Sequence, residues 1–290
     1  MLSEGQLLAL HVLANGVADV AFSLSLGALT VFTWKTLPAA YDRKLFLLIG
    51  LAALLIAAAQ PVQLVVLTAG MTGAASFAEL TPQFHDVLST HAGWILLPQA
   101  IAAAATAAAA LIPSPRRLRL TLIAASLFAL SLFRSASGHA ASDGNYSPRE
   151  LAQWIHLIAT GVWAGGVMVS AWLLPSFPDI ELRHANGERL SLQSATAIVL
   201  IFLSGIWNTW LGVDGDVQGA LHTRWAFLLG IKLLFVLAAL TLGATNRRIL
   251  QSPPTDQAMH RLCATLRMEA VLMLTILLLS AWLGSVAPAA

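Results

Sequence analysis

Eight long apolar runs limit how this chain can fold. They are 16 to 29 residues long with few charges, and an α-helix needs about 20 residues to cross the hydrocarbon core of a bilayer. Of the 290 residues, 58% are hydrophobic and only 10% are charged, whereas soluble chains are about 25% charged. We therefore predict an all-α, polytopic transmembrane bundle of about eight helices. The predicted spans are residues 6–34, 43–69, 91–112, 118–133, 148–174, 190–211, 223–245 and 261–286.

Basic residues are concentrated in alternate loops. The loops after spans one, three, five and seven carry Lys35, Arg43, Lys44, Arg116, Arg117, Arg119, Arg183, Arg189, Arg247, Arg248 and Arg261. The other loops carry few, with Arg134 and Arg149 at the edges of one and Arg224 in the next. Because Lys and Arg are retained in the cytoplasm, both termini are predicted to lie outside, on the outer side of the membrane. The same sorting makes the basic residues a topology signal, and we expect no nucleic-acid partner.

Six of the eight histidines fall on the predicted outer side. They are His11 and His156, one to three turns inside the outer face, and His85, His91, His139 and His222, in or beside the outer loops. A bilayer has no favourable place for an imidazole, so an intramembrane histidine should face the bundle interior or a wet cavity. Imidazole is also a good ligand for copper and zinc. The outer histidines are therefore the candidate metal ligands.

Other polar side chains recur at helical spacing in the outer half. The first span carries His11, Asn15, Asp19 and Ser23 at every fourth position, so they form one stripe. The fifth span carries Gln153, His156 and Thr160 on one face. For any single amide, hydrogen bonding between helices is the simpler interpretation. The clustering as a whole favours a polar cavity that opens to the outer side.

Three further residues extend this polar pathway along the last two spans. Lys232 lies in the outer half of span seven, where it could pair with Asp19, the deepest opposite charge. Glu269 on span eight lies nearer the inner side, within expected reach of Asn246 or Arg248. A structural pair is one interpretation of such charges, and a relay for protons or cations is the other.

The second half of the chain carries a recognisable set of motifs. They are "SGHA" (Ser137–Ala140), "HLIATGVWAGG" (His156–Gly166), "LSGIWNTW" (Leu203–Trp210), "LLGIKLLFVLAALTLGATNRRIL" (Leu228–Leu250) and "LRMEAVLMLTILLLSAWLGSVAP" (Leu266–Pro288). Together they resemble the CopD family, the copper resistance protein D group of multi-pass bacterial inner-membrane proteins. The resemblance implies copper handling, commonly described as moving copper across that membrane. It divides the chain into an N-terminal four-helix membrane half, residues 1–134, and a CopD-like four-helix domain, residues 135–290.

The resemblance also assigns individual residues. By position, His139 and His156 match the copper-relevant histidines of the family. Lys232, Asn246 and Glu269 match its polar positions in the last two helices. The remaining candidates, His11, His85, His91 and His222, rest on the outer clustering alone. The small residues of "GVWAGG" predict a close approach to a neighbouring helix.

These features predict a copper-binding inner-membrane protein that transports or captures copper ions from the periplasm through a His-lined outer cavity. Handing copper to a periplasmic carrier protein would leave the same sequence features. Enzymatic activity is not expected. An ordinary hydrolytic enzyme in particular is disfavoured, because Ser, His and Asp do not occur in a nucleophile motif such as GxSxG. Two alternatives stay open. One is a b-type haem electron carrier, since His11 and His156 lie at similar depth on different helices. The other is an assembly subunit whose polar residues serve helix packing and partner docking.

Overall fold

The computed structural model describes residues 3–34, 37–74, 76–137, 147–213 and 217–286. In those ranges the chain is helical, with short connections and no strand. Eight helical segments are long and apolar enough to cross a membrane, which confirms the predicted bundle. The helices are α1 Glu4–Val31, α2 Asp42–Thr72, α3 Phe77–Leu80, α4 Phe84–Ser89, α5 His91–Trp94, α6 Leu96–Leu111, α7 Arg116–Ser135, α8 Pro148–Leu173, α9 Ile180–Gly212, α10 Val217–Leu221, α11 Arg224–Leu250 and α12 Asp256–Leu283. The short α5 leads directly into α6, and together they form the third span.

Side-chain caps fix where several of these helices begin. Ser3 accepts a hydrogen bond from the backbone N–H of Gln6, whose side chain accepts one from Ser3 in return. Ser147, Thr223 and Thr255 cap α8, α11 and α12 in the same way with a single hydroxyl. Each hydroxyl satisfies one of the backbone donors that a helix start leaves unpaired.

The start of α9 differs from its prediction. The apolar run begins at residue 190, but the helix begins at Ile180, after Asp179 accepts from the backbone N–H of Glu181. Residues 180–189 are largely polar, so hydropathy does not detect them. Six of these ten residues are Glu, Leu, Arg or Ala, which favour helix, so the backbone hydrogen bonds continue beyond the apolar segment.

α1 and α8 form the centre of the bundle. α1 packs most extensively against α2 and α8, and α8 against α1 and α9, with α12 touching both. In the most apolar stretch of α8, 67% of the residues are buried within the protein. The corresponding values are 17% for α9 and 11% for α11, which leaves those helices facing lipid. The helices of residues 1–134 and 135–290 therefore share one core, and the proposed division into two domains stays a prediction.

The backbones of α1 and α8 touch where the glycines of "GVWAGG" meet α1. A Cβ atom on Gly165 would lie 1.7 Å from the backbone oxygen of Ser23. A Cβ atom on Gly27 would lie 2.1 Å from the carbonyl carbon of Gly165. Only glycine permits this approach, so the close contact predicted from the small residues is confirmed.

Candidate functional site

Two hydrogen-bonded groups occupy the half of the bundle that is predicted to face outward, the outer half, and the first group joins α1 to α2. His11 and Asn15 lie one turn apart, with 3.0 Å between His11 Nε2 and Asn15 Nδ2. Gln63 on α2 donates to Asn15 Oδ1 at 3.1 Å. Because the amide oxygen of Asn15 accepts from Gln63, its amide nitrogen donates to His11. That bond uses the lone pair of His11 Nε2, so this nitrogen ligates a metal only after the bond breaks.

The second group places His156 against α9. His156 Nδ1 lies 3.1 Å from Ser204 Oγ, and Ser204 Oγ donates to the Leu200 carbonyl at 2.6 Å. The hydroxyl therefore accepts from Nδ1–H, which puts the proton of the neutral ring on Nδ1. The lone pair is left on Nε2, the arrangement of a histidine ready to ligate a metal. Gly205 gives the ring room, since a Cβ atom there would lie 3.3 Å from Cε1.

Gln153 and Thr160 continue the same face of α8. Asn208 on α9 donates to Gln153 Oε1 at 2.9 Å, so Gln153, like His156, faces the bundle interior as its spacing predicts. Thr160 Oγ1 and Asn208 Oδ1 are buried and make no hydrogen bond within the described residues. Buried polar atoms of this kind are usually satisfied by a partner such as water. The contact between α8 and α9 thus retains unused polar capacity beside His156.

The deepest charge of α1 pairs differently from the prediction. Asp19 forms an ion pair with Arg134, a residue that the sequence places only at the edge of an outer loop. Arg134 lies in the last turn of α7, and its side chain is 9% exposed. Its long side chain reaches α1 because α7 packs against that helix. Lys232, the expected partner, lies within electrostatic range of both Asp19 and His156.

The other predicted histidines do not join these groups. His85 on α4, His91 at the start of α5 and His222 after α10 are all exposed. His139 lies outside the described residues. Within the ranges that the structure describes, no three His, Cys, Asp or Glu side chains come together as a group that could hold a metal ion. The role of these histidines as ligands stays a prediction.

The opposite half, which is predicted to face inward and is called the inner half, contains one compact polar cluster. Asn246 on α11 donates to Glu269 Oε2 on α12 at 2.8 Å, which confirms the expected reach between the two. Thr265 donates to Asn246 Oδ1 and so fixes the orientation of the amide. Glu269 lines a cavity of ≈ 240 Å³ between α8, α9, α11 and α12.

A second cavity lies at the inner end, lined by Pro175, Arg183, His260, Cys263, Ala264 and Arg267. The described linings of both cavities contain neither His11 nor His156. The His-lined outer cavity therefore stays a prediction.

Sequence reasoning missed three of the residues that complete these groups. Thr265 stands four residues before Glu269, and this spacing could have identified it. Ser194, which lines the inner cavity, carries no sequence signal beyond its polarity in an apolar run. Arg134 was counted as a loop residue because its position in the sequence does not show which way its side chain turns.

Comparison with known protein sequences shows which family the chain belongs to. The sequence model described as Copper resistance protein D-like, N-terminal domain, matches residues 4–148, half of the chain. The model described as Copper resistance protein D matches residues 185–283. The chain belongs to the CopD family. The first half, whose resemblance the motifs did not show, is thus covered as well.

Two relatives illustrate the match to the CopD family. Copper resistance protein D of Pseudomonas syringae pv. tomato is 24% identical over 253 residues, which are 78% of this chain and 79% of the relative. Copper transport protein CutJ of Bacillus subtilis (strain 168) is 28% identical over 122 residues. Those residues are 41% of this chain but only 22% of CutJ, so the chain spans a small part of that protein. No solved structure matches the chain. His139 falls within the matched residues, whereas His156 lies between the two matched regions.

Proposed function

We propose that this CopD-family chain is a copper protein of the bacterial inner membrane that captures copper ions from the periplasm and passes them into the bundle. One observation carries the proposal. The hydrogen bonds from His156 to Ser204 and from Ser204 to Leu200 leave the lone pair of His156 Nε2 free. His156 is thereby the intramembrane histidine best prepared to take a metal ion. Family membership supports copper as the cargo, and the names of the two relatives agree with it.

The surroundings of His156 suit transient binding. Neutral imidazole is a good ligand for both oxidation states of copper. Lys232 lies within electrostatic range and opposes a cation at His156, whereas Asp19, in range of Lys232, offsets part of that effect. A transported ion must bind strongly enough to enter and weakly enough to leave. We infer that His11, once released from Asn15, or one of the outer-loop histidines supplies the second ligand.

The proposal is tested by the copper content and visible spectrum of the protein purified in detergent. The variants are His156→Ala and the matched control His260→Ala, an exposed histidine at the opposite, inner end. Wild type and the control should hold copper in stoichiometric amount. His156→Ala should bind copper about 100-fold more weakly, because the variant lacks one imidazole ligand.

Other outcomes decide between the alternatives. A Soret band that disappears in His156→Ala would establish the haem electron carrier instead. Neither copper nor haem in a folded wild type would contradict copper capture and favour the assembly subunit. Copper accumulation in right-side-out and inverted membrane vesicles then gives the direction. Uptake that is confined to right-side-out vesicles supports capture from the periplasm.

A further inference from the structure

The cavity in the inner half is a mostly apolar cleft with one polar end. It lies between α9 and α11, two helices that touch each other little, and α8 and α12 form its floor. Its lining is mostly apolar and runs from Arg247, exposed near the inner end of α11, to Glu269, which is 3% exposed. The cleft therefore connects the region near the inner face with a carboxyl group buried in the membrane.

The two oxygens of Glu269 have different surroundings. Oε2 accepts from Asn246, whose orientation is set by Thr265. Oε1 lies beside Gly243 of α11, where a Cβ atom would be 3.5 Å away. Since Gly243 has no side chain, the space next to Oε1 belongs to the cavity. Ser194, on the opposite wall, has a buried hydroxyl without a hydrogen-bond partner within the described residues. A buried hydroxyl of this kind is usually hydrogen-bonded to water.

The charges around Glu269 do not neutralise it. The helices packed against α12 are α1, α8, α9 and α11. In the described lining, Arg247 is the charged residue besides Glu269, and α9 and α8 contribute Ser191, Ser194 and Trp163. Between the helix ends, the ionisable groups that these helices carry in the predicted outer half are His11, Asp19, His156 and Lys232. The outer ends of the same helices carry Glu4, Arg149, Glu150 and Arg224. One amide donor compensates a membrane-buried carboxylate only partly, so the neutral form is favoured.

The geometry points to a proton-binding site at Glu269, whose Oε1 exchanges a proton with the inner side of the membrane through the cleft between α9 and α11. The ligand is a proton rather than copper. The group offers one carboxyl, one amide and one hydroxyl, hard oxygen donors without a histidine or thiol. Gly243 is the position at which access to the site can be closed.

Infrared spectroscopy of the purified protein tests this site directly. Wild type at neutral pH should show the C=O stretching band of a protonated carboxyl, and the band should shift after transfer to D2O. Glu269→Gln should remove the band, and the matched control Glu188→Gln, on the exposed surface of α9, should keep it. Glu269→Asp keeps a carboxyl group and should show a shifted band. Asp19→Asn shows how much of the C=O stretching band comes from the carboxyl group of Asp19.

The access route has its own variants. Gly243→Ala adds only a contact of ordinary length and should leave the exchange rate unchanged. Gly243→Leu fills the space beside Oε1, so deuterium exchange at the carboxyl should slow by about tenfold or more, since it must await local opening. A band that persists in Glu269→Gln, or one that fails to exchange in wild type, overturns the proposal. So does equal exchange in Gly243→Ala and Gly243→Leu.

A link between this proton and copper rests on the proposed function. If copper crosses the bundle, proton exchange at Glu269 provides a coupling ion from the inner side. Copper uptake by vesicles should then depend on an imposed pH gradient in wild type and lose that dependence in Glu269→Gln. His156→Ala separates the two hypotheses, because it should weaken copper binding about 100-fold and leave the carboxyl band intact. Uptake that responds equally to the gradient in wild type and Glu269→Gln refutes the coupling.

Discussion

The outer and inner halves of the bundle hold their polar groups in different ways. In the outer half, pairs are spread over α1, α2, α7, α8 and α9, and each pair joins two helices or two turns. In the inner half, Thr265, Asn246 and Glu269 form one chain of hydrogen bonds between α11 and α12. The outer pairs leave a histidine lone pair unused, and Arg134 Nε and Asn208 Oδ1 are buried without a hydrogen-bond partner in the described residues. The inner chain leaves one carboxyl oxygen.

This difference separates two kinds of chemistry. A dispersed set of pairs can exchange partners, and His11 or His156 can leave a hydrogen bond for a metal ion. A closed chain that orients one carboxyl is suited to a ligand as small as a proton. Both arrangements depend on α1 and α8. These two helices carry outer polar groups, and both pack against α12, which carries Thr265 and Glu269 of the inner chain.

The largest effect is expected at the contact between α1 and α8, which both halves share. In Gly165→Leu the new Cβ atom would overlap the backbone oxygen of Ser23, and backbone cannot move aside as a flexible side chain can. We expect a loss of about 4 kcal/mol or more, enough to prevent folding. Thermal unfolding in detergent measures it, with Gly230→Leu as the control, since a Cβ atom there meets no neighbour. Equal stability of the two variants would refute the central role of this contact.

The next effect concerns the ion pair of the outer half. Asp19→Asn leaves the Arg134 guanidinium without its counter-charge in a largely buried position. We expect a loss of about 3 kcal/mol, and partial recovery in the double variant Asp19→Asn/Arg134→Gln. Asp42→Asn removes the Arg116 pair at the end of the bundle, where Arg116 is 48% exposed, and should cost less than about 1 kcal/mol. A double variant as unstable as the single one would show that the two residues do not act as a pair.

Replacing one asparagine in each half by alanine compares the stability of the two halves directly. Asn246→Ala breaks a chain in which both neighbours are buried or half-buried and leaves Glu269 without its donor. We expect a loss of about 2 kcal/mol of stability in detergent. Asn208→Ala removes one hydrogen bond to Gln153 from a residue whose own oxygen has no described partner. Its cost should be about 1 kcal/mol or less. The reverse order would mean that the outer pairs, rather than the inner chain, are the rigid part.

The fold could be predicted largely from the sequence, and the site only in part. Apolar length sets the spans, and the small residues around Gly165 indicate the closest helix contact, because both signals are local. The period of four also brings His11 beside Asn15 and Thr265 beside Glu269. Pairing between helices is different, since it depends on how the helices rotate and how far side chains extend. Asp19 therefore pairs with Arg134 rather than Lys232, and the unpartnered hydroxyl of Ser194 becomes visible only once the cleft is known.

The smallest expected effect tests whether copper affinity depends on the orientation of the His156 ring or only on its presence. Ser204→Ala removes the hydroxyl that holds the proton on Nδ1 but keeps the ring, so both tautomers become accessible. Copper affinity should fall by roughly tenfold, the usual cost of losing a group that orients a metal ligand, while unfolding changes little. Ser204→Thr retains a hydroxyl at the same position and should keep affinity near wild type. If Ser204→Ala binds copper as wild type does, the free lone pair does not depend on this hydrogen bond. If it loses copper as completely as His156→Ala, Ser204 itself is a ligand, and the outer half then supplies an oxygen donor as the inner half does.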